Sequence, residues 1–240
     1  YLGKNGDGHL VVALLDGTKI HVKRRHKVVD APYDQSEIPS RQVPGFTVEP
    51  GVTLVPPNGL VDLGEPADRF TVIGAGKTGM DTCVWLLEAG VDPERIRWLR
   101  GRDPWQYDRN FLQPLNLVGS VMRLRARWVE TAAAAEDGHD FARRLEDAGV
   151  FVRIDPSVEP LAFRGATVSP REIDALRTIE HVVRASRVRS IGRTTVTTDT
   201  GDVPGGPREV YVDCTAAGVR PTVPRPVFEP GRITIQYVAV

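Results

Sequence analysis

The 240-residue chain has only two cysteines, Cys83 and Cys214, far apart in sequence. Neither belongs to a C-x-x-C pair, which excludes a redox-active dithiol of the thioredoxin-reductase kind. Both read as small buried hydrophobes in a reducing, cytoplasmic setting. Net charge is lacking too: 31 Lys and Arg balance 31 Asp and Glu. That removes any global electrostatic case for nucleic acid or an anionic membrane surface. No apolar run approaches the roughly 18 residues of a membrane span, and no signal peptide opens the chain. The histidines His9, His21, His26, His139 and His181 do not fall at metal-ligand spacing, so no metal site is expected. G-x-S-x-G is absent and no Ser-His-Asp order stands out. No acid, base or nucleophile can be named, and catalytic residues stay unknown at this level. With 41% hydrophobic and 26% charged residues, the composition is that of a soluble globular protein.

What is present is concentrated between Arg69 and Asp81. Phe70, Thr71, Val72 and Ile73 form a short apolar run rich in β-branched residues, as a buried parallel strand should be. Gly74, Ala75, Gly76, Lys77, Thr78 and Gly79 follow as G-x-G-x-x-G. In a dinucleotide loop the first glycine makes the sharp turn. The second lets backbone approach a pyrophosphate, and the third lets helix pack on strand. Met80, Val84, Leu87 and Cys83 then share one helical face. Gly90 stops the helix, and Ile96 to Leu99 read as a second strand, completing a βαβ unit. Lys77 does not make this a P-loop, because G-x-x-x-x-G-K-[ST] needs an earlier glycine. Thr78 opens the helix, where its N–H and hydroxyl can face a phosphate.

The second strand bears on the choice of nucleotide. NAD-binding folds carry an acid about 20 residues past the loop for the ribose 2′-hydroxyl. Here the strand runs into Arg100, Gly101, Arg102 and only then Asp103. Guanidiniums fork onto phosphate, so Arg100 and Arg102 point to a 2′-phosphate and to NADP(H) rather than NAD or FAD at this loop.

Around the unit, residues 8–30 read as a β-meander turning at Asp16-Gly17. Residues 32–67, rich in Pro, Gly and Ser apart from an apolar break at Val52 to Pro56, read as a crossover with little regular structure. Helical spacing covers Asn116 to Glu130 and Asp140 to Ala148, and Phe151 to Ile154 read as a strand following a helix. Trp105, Tyr107, Arg109 and Phe111 follow the arginine turn; stacking on an adenine or covering a cofactor is one reading, and packing a domain edge is the favoured one. Ser169, Pro170 and Glu172 form an N-cap and capping box for a helix to about Thr178. Residues 181–203 read as a hairpin, and Glu209 to Gly218 as a buried strand breaking into a small-residue turn. The chain begins at Tyr1 rather than Met and reads as a piece of a longer protein.

This order of elements resembles the two-dinucleotide-domain flavoproteins, which include the flavin-containing monooxygenases and pyridine-nucleotide oxidoreductases. Val72 to Asp81 resemble their second nucleotide loop. Arg100 and Arg102 before Trp105 resemble the Arg-containing turn of the NADP-using monooxygenases. Val210 to Gly218 resemble the strand and turn where the chain re-enters the FAD domain. The resemblance implies an α/β fold: a Rossmann-like NAD(P)-binding domain inserted in a partial FAD-binding domain with a β-meander. It implies a partial FAD-type domain over 1–67, an NAD(P)-binding domain over 68–205 and a return to the FAD-type domain over 206–240. Ala217 and Gly218 would then face a cofactor. No glycine loop of the FAD kind precedes residue 70, so the FAD site is incomplete in this chain. The monooxygenase junction signature of Phe, Gly, His and Trp is missing as well.

The expected function is therefore the NADP(H)-binding part of an FAD-dependent oxidoreductase, with hydride passing from NADPH to flavin. The alternative is a non-catalytic NADP(H)-binding or sensor module on the same fold. The small-molecule substrate and the oligomeric state are not legible from the residues.

Overall fold

The computed structural model describes residues 3–4, 9–13, 16–23, 25–31, 40, 42–64, 67–185, 187–215 and 223–236. The chain divides into two compact units, one formed by Tyr1–Glu37 with Ala217–Val240 and the other by Ile38–Ala216.

The first unit begins with β1 (Gly3–Lys4), β2 (His9–Ala13) and β3 (Lys19–Lys23), an antiparallel sheet in the order β1-β2-β3. Between β2 and β3 the Asp16 carboxylate accepts from the Thr18 amide at 2.9 Å, and Gly17 takes φ +84°. The expected hairpin and its Asp16-Gly17 turn are thus present, but the third strand of the expected meander over residues 8–30 does not join it: Val28–Asp30 belongs to a different sheet. β4 (Val28–Asp30) follows.

The second unit is mixed α/β. Its strands are β5 (Thr47–Val48), β6 (Thr53–Val55), β7 (Arg69–Ile73), β8 (Ile96–Leu99), β9 (Trp105–Asp108), β10 (Phe151–Val152) and β11 (Phe163–Val168). They continue with β12 (Val182–Val183), β13 (Val188–Ile191), β14 (Thr195–Thr198), β15 (Gly201–Pro204) and β16 (Glu209–Asp213). Helices are α1 (Lys77–Glu88), α2 (Gly119–Ala134), α3 (Gly138–Asp147) and α4 (Pro170–Arg177). The chain then returns to the first unit with β17 (Phe228–Glu229) and β18 (Arg232–Thr234), and β18 pairs in parallel with β4.

The centre of the second unit is a five-stranded parallel sheet in the order β12-β8-β7-β16-β6. Alternate side chains of its strands enter two cores, as a sheet covered on both faces requires. Val72, Ile96, Trp98, Val210 and Val212 pack with Met80, Cys83 and Leu86 of α1 and with Ile173 and Leu176 of α4. Ile73, Leu99 and Tyr211 face the other way, onto Val188, Ile191 and Val196. Those belong to a second sheet ordered β15-β14-β13-β5. Between the layers lies a buried polar row. Thr71 donates its hydroxyl to Glu209, Arg97 lies 3.4 Å from the same carboxylate, and Arg97 also donates to the Pro204 carbonyl. A third core gathers Trp105, Leu124, Leu145, Val150 and Phe151 between α2, α3 and the sheet β10-β9-β11.

Two further sequence expectations need correction. Residues 32–67 are not merely a crossover: β6 is an edge strand of the parallel sheet, where Thr53, Leu54 and Val55 pair with Val210, Tyr211 and Val212. The apolar break over Val52 to Pro56 is visible in the sequence, but a three-residue run carries too little pattern to show that it pairs. Val182 and Val183 do not open a hairpin; they pair with Trp98 and Leu99 at the other edge of that sheet. The short strand expected at Phe151 is present as Phe151–Val152, running antiparallel to β9 outside the parallel sheet. A two-residue strand has no periodicity by which to choose a partner.

The expected boundaries of α1, α3 and α4 hold within about two residues, whereas α2 runs Gly119–Ala134, three to four residues beyond the expected Asn116 to Glu130. The α4 capping box is complete: the Ser169 hydroxyl accepts from the Glu172 amide, and the Glu172 carboxylate accepts from the Ser169 amide at 2.6 Å. Trp105, Tyr107 and Phe111 pack into the third core. Among the described residues no helix is long and apolar enough to cross a membrane.

Candidate functional site

The carboxyl ends of three adjacent strands finish level, with Ile73 of β7 opposite Leu99 of β8 and Asp213 of β16. The chain leaves the sheet at Gly74, Arg100 and Cys214, tied by Gly74 N–H to Leu99 O and Cys214 N–H to Ile73 O, both 2.9 Å. From β7 the chain moves through α1 to β8 on one side, while β16 lies on the other. Gly74 therefore stands at a switch in strand order, where open α/β sheets receive ligands beyond their carboxyl ends.

Each loop glycine has a distinct environment. Gly74 takes φ +134°, and a Cβ there would stand 2.9 Å from the Cys214 carbonyl oxygen. A Cβ on Gly79 would stand 2.3 Å from the Gly74 carbonyl oxygen. A Cβ on Gly76 would meet nothing within 4 Å. The first and third glycines are thus demanded by the fold, whereas the second is an open face of backbone. Gly76 is also the N-cap of α1, and no side chain caps that helix. The first-turn amides of an uncapped helix seek an outside acceptor, and the helix dipole favours an anion there. These features fit a dinucleotide pyrophosphate.

Ala75, Lys77 and Thr78 are half-buried around this face. The Lys77 ammonium pairs with Asp81 one turn on and with Glu172 of α4 at 3.0 Å. Arg109 reaches the same Glu172 oxygen at 3.1 Å. Burial works to raise the Glu172 pKa, but the Ser169 amide and hydroxyl and the Lys77 ammonium outweigh it and bring it down to about 2. Glu172 thus holds its charge and anchors two cations beside the loop.

The end of β8 is built differently from a row of free arginines. Arg100 is 3% exposed, its guanidinium 4.5 Å over the Trp98 ring and 2.8 Å from Asp103. Burial lowers its pKa, and Asp103 works against that. The other Asp103 oxygen accepts from Arg184, which lies just past β12 and also binds Asp155. Arg102 is exposed and makes no ion pair among the described residues. Trp98, under the turn, donates its indole N–H to the Gly74 carbonyl at 2.8 Å and so joins strand end to glycine loop.

Past β16, the Asp213 carboxylate accepts from the Thr215 amide and hydroxyl at 2.9 and 2.6 Å. Cys214 lies 3.3 Å from the Thr82 hydroxyl of α1. Ala217 and Gly218 lie outside the described residues. Gly74 to Gly79 and Arg100 are therefore brought to one sheet edge, with Arg102 outermost. Sequence reasoning did not reach Trp98, Glu172 or Arg184 as parts of this edge, and it set Arg109 aside in favour of a domain-edge packing role. The Ser169-x-x-Glu172 box was visible, but nothing in it told that its carboxylate would meet Lys77, 95 positions away. Among the described residues no group of His, Cys, Asp and Glu is arranged to hold a metal ion.

No family model matches the chain. It is 42% identical over 234 residues to uncharacterized proteins of Mycobacterium tuberculosis and Mycobacterium bovis, covering 97% of this chain and 43% of each of them. The chain thus spans less than half the length of the curated relatives it matches. Among solved structures it is similar to cyclohexanone monooxygenase, with a TM-score of 0.44 and 14% identity over 88% of this chain and 52% of that one.

Proposed function

We propose that this chain supplies the NADP(H)-binding part of an FAD-dependent oxidoreductase, in which NADPH gives hydride to a flavin. The observation that carries the reading is the loop Gly74–Gly79. It is a strand-to-helix turn at a switch point, open at Gly76 and facing an uncapped helix start. Gly74, Ala75, Gly76, Lys77, Thr78 and Gly79 would hold the pyrophosphate, and the turn from Arg100 to Asp103 would select the 2′-phosphate. When bound, NADPH supplies the hydride; the protein supplies position and electrostatics. Residues 1–67 contain no glycine loop of the FAD kind, so the flavin phosphates are not assigned to this chain. Ala217 and Gly218, by their sequence resemblance, would lie where the chain turns toward the flavin.

Purification of the full-length protein tests this. A yellow protein whose flavin is bleached by NADPH without oxygen, and far more slowly by NADH, supports the reading. A colourless protein that binds NADP+ with unchanged affinity after addition of FAD points instead to a nucleotide-binding module. A protein that binds neither nucleotide sinks both.

A further inference from the structure

Asp103 is the carboxylate nearest the end of β8, the place from which an acid reads a ribose 2′-hydroxyl in NAD-binding folds. Here both its oxygens face guanidiniums. Oδ2 accepts a hydrogen bond from Arg184 Nε at 2.9 Å, whereas Oδ1 is ion-paired with Arg100 at 2.8 Å without a hydrogen bond. The Asp103 side chain is only 9% exposed. Arg184 continues to Asp155, so the four charges form a neutral chain from the end of β8 to the 153–156 segment. Arg100 has little freedom within it: it is stacked on Trp98, and its buried Nε has no hydrogen-bond partner. Arg184 differs. It is 39% exposed and borders a cavity of about 410 Å³ that it shares with Arg100, Asp155 and Arg177. A carboxylate already engaged by two guanidiniums is a poor acceptor for a sugar hydroxyl, because a neutral donor competes with charge-assisted partners. Arg102, between the paired residues in sequence, is left facing outward.

We propose that Arg184 is a positioning residue for dinucleotide specificity: by holding Asp103 against Arg100 it withdraws the carboxylate from the ribose and leaves Arg102 to meet a 2′-phosphate. The proposal rests on the glycine-loop reading above, and it adds a determinant some 80 positions downstream of the strand end, Arg184 being 81 residues from Asp103. Its physical content is a competition. With Arg184 in place, Asp103 is spent on an ion pair. Without it, Asp103 keeps its Arg100 ion pair but its Oδ2 is released, adding negative charge where a 2′-phosphate must come and able to accept from the 2′-hydroxyl of NAD+.

The test is calorimetric titration of the full-length protein with NADP+ and with NAD+. In R184A, NADP+ affinity is expected to fall about tenfold or more while NAD+ affinity rises about threefold, the scale of one charge-assisted hydrogen bond gained or lost. D103N on that background should abolish the NAD+ gain. R184K, which keeps charge but cannot fork onto two carboxylates, should fall between. A purely structural role would weaken both nucleotides together, so parallel loss, or an unchanged NAD+ affinity, overturns the proposal. If R184A does not fold, D155N decides: it loosens Arg184 and should move the NADP+ to NAD+ ratio in the same direction, and an unmoved ratio overturns the idea. A wild-type protein that binds neither nucleotide overturns the glycine-loop reading and this proposal with it. A wild type that favours NADP+ beside an R184A variant weakened equally for both overturns this proposal alone.

Discussion

The Trp98 indole N–H donates to the carbonyl of Gly74 across 2.8 Å, so the second strand holds the first turn of the glycine loop from below. Trp98 is 1% exposed, and Arg100 lies on its ring. Trp98→Phe keeps an aromatic surface but removes the donor and leaves the Gly74 carbonyl short of a partner. The expected cost is about 2 kcal/mol, from an unsatisfied buried acceptor and the smaller ring. Urea unfolding read by circular dichroism measures it. NADP+ affinity should fall as well, because the loop loses its support.

The three loop glycines separate fold from ligand. Gly79→Ala places a methyl against backbone atoms that cannot swing away, 2.3 Å from the Gly74 oxygen. It should destabilise the protein by about 2–4 kcal/mol or prevent folding. Gly76→Ala meets no atom within 4 Å, and Gly76 already has an extended backbone at φ −84°. Its stability should change by less than about 1 kcal/mol, the difference between Gly and Ala at an N-cap. Its NADP+ affinity should nevertheless drop about tenfold or more, since the methyl intrudes where backbone approaches pyrophosphate. Wild-type affinity in Gly76→Ala would show that the loop takes no phosphate.

The difference between those glycines bears on what was legible beforehand. The strand, loop and helix from Phe70 to Glu88 were readable because the apolar run, the glycine spacing and the helical stripe are local and agree with one another. The capping box of α4 was readable for the same reason. The partners of Arg100 were not. Sequence shows an arginine at a strand end, but its burial on Trp98 and its pairing with Asp103 and Arg184 depend on β12 lying beside β8. That pairing rests on Val182 and Val183 alone, too few residues to carry a pattern. Likewise β6 joined the central sheet from a stretch read as irregular, because a three-residue edge strand is decided by its neighbour β16 rather than by its own composition.

The two cysteines offer a negative control. Cys83 is fully buried and Cys214 is 5% exposed. Burial drives both thiols up, Cys214 to about 12 despite an opposing bond with Thr82. The thiolate is the nucleophile, so iodoacetamide at neutral pH should modify neither residue in the folded protein and both in urea. Labelling of Cys214 without denaturant, read by peptide mass spectrometry, would mean that the crevice beside Gly74 opens far more than this packing implies.

Glu172 couples the loop to acid stability. Its carboxyl, 16% exposed, falls from an ordinary 4.5 to about 2, because the Ser169 amide and hydroxyl and Lys77 overcome the cost of burial. A pKa depressed by folding means that the unfolded chain binds the proton more readily. The stabilisation is therefore complete above about pH 4.5 and is lost as pH falls through that value toward 2. A shift of this size corresponds to about 3 kcal/mol. Glu172→Gln separates the causes, since Gln at this position can still complete a capping box but cannot pair with Lys77 and Arg109. Urea midpoints followed from pH 7 down to 2.5 should fall less steeply below pH 4.5 in the variant than in wild type. Freed of their shared anion, Lys77 and Arg109 should also make NADP+ binding tighter and more sensitive to salt. Parallel acid-unfolding profiles for the two proteins would remove Glu172 from this role and leave it as a helix cap alone.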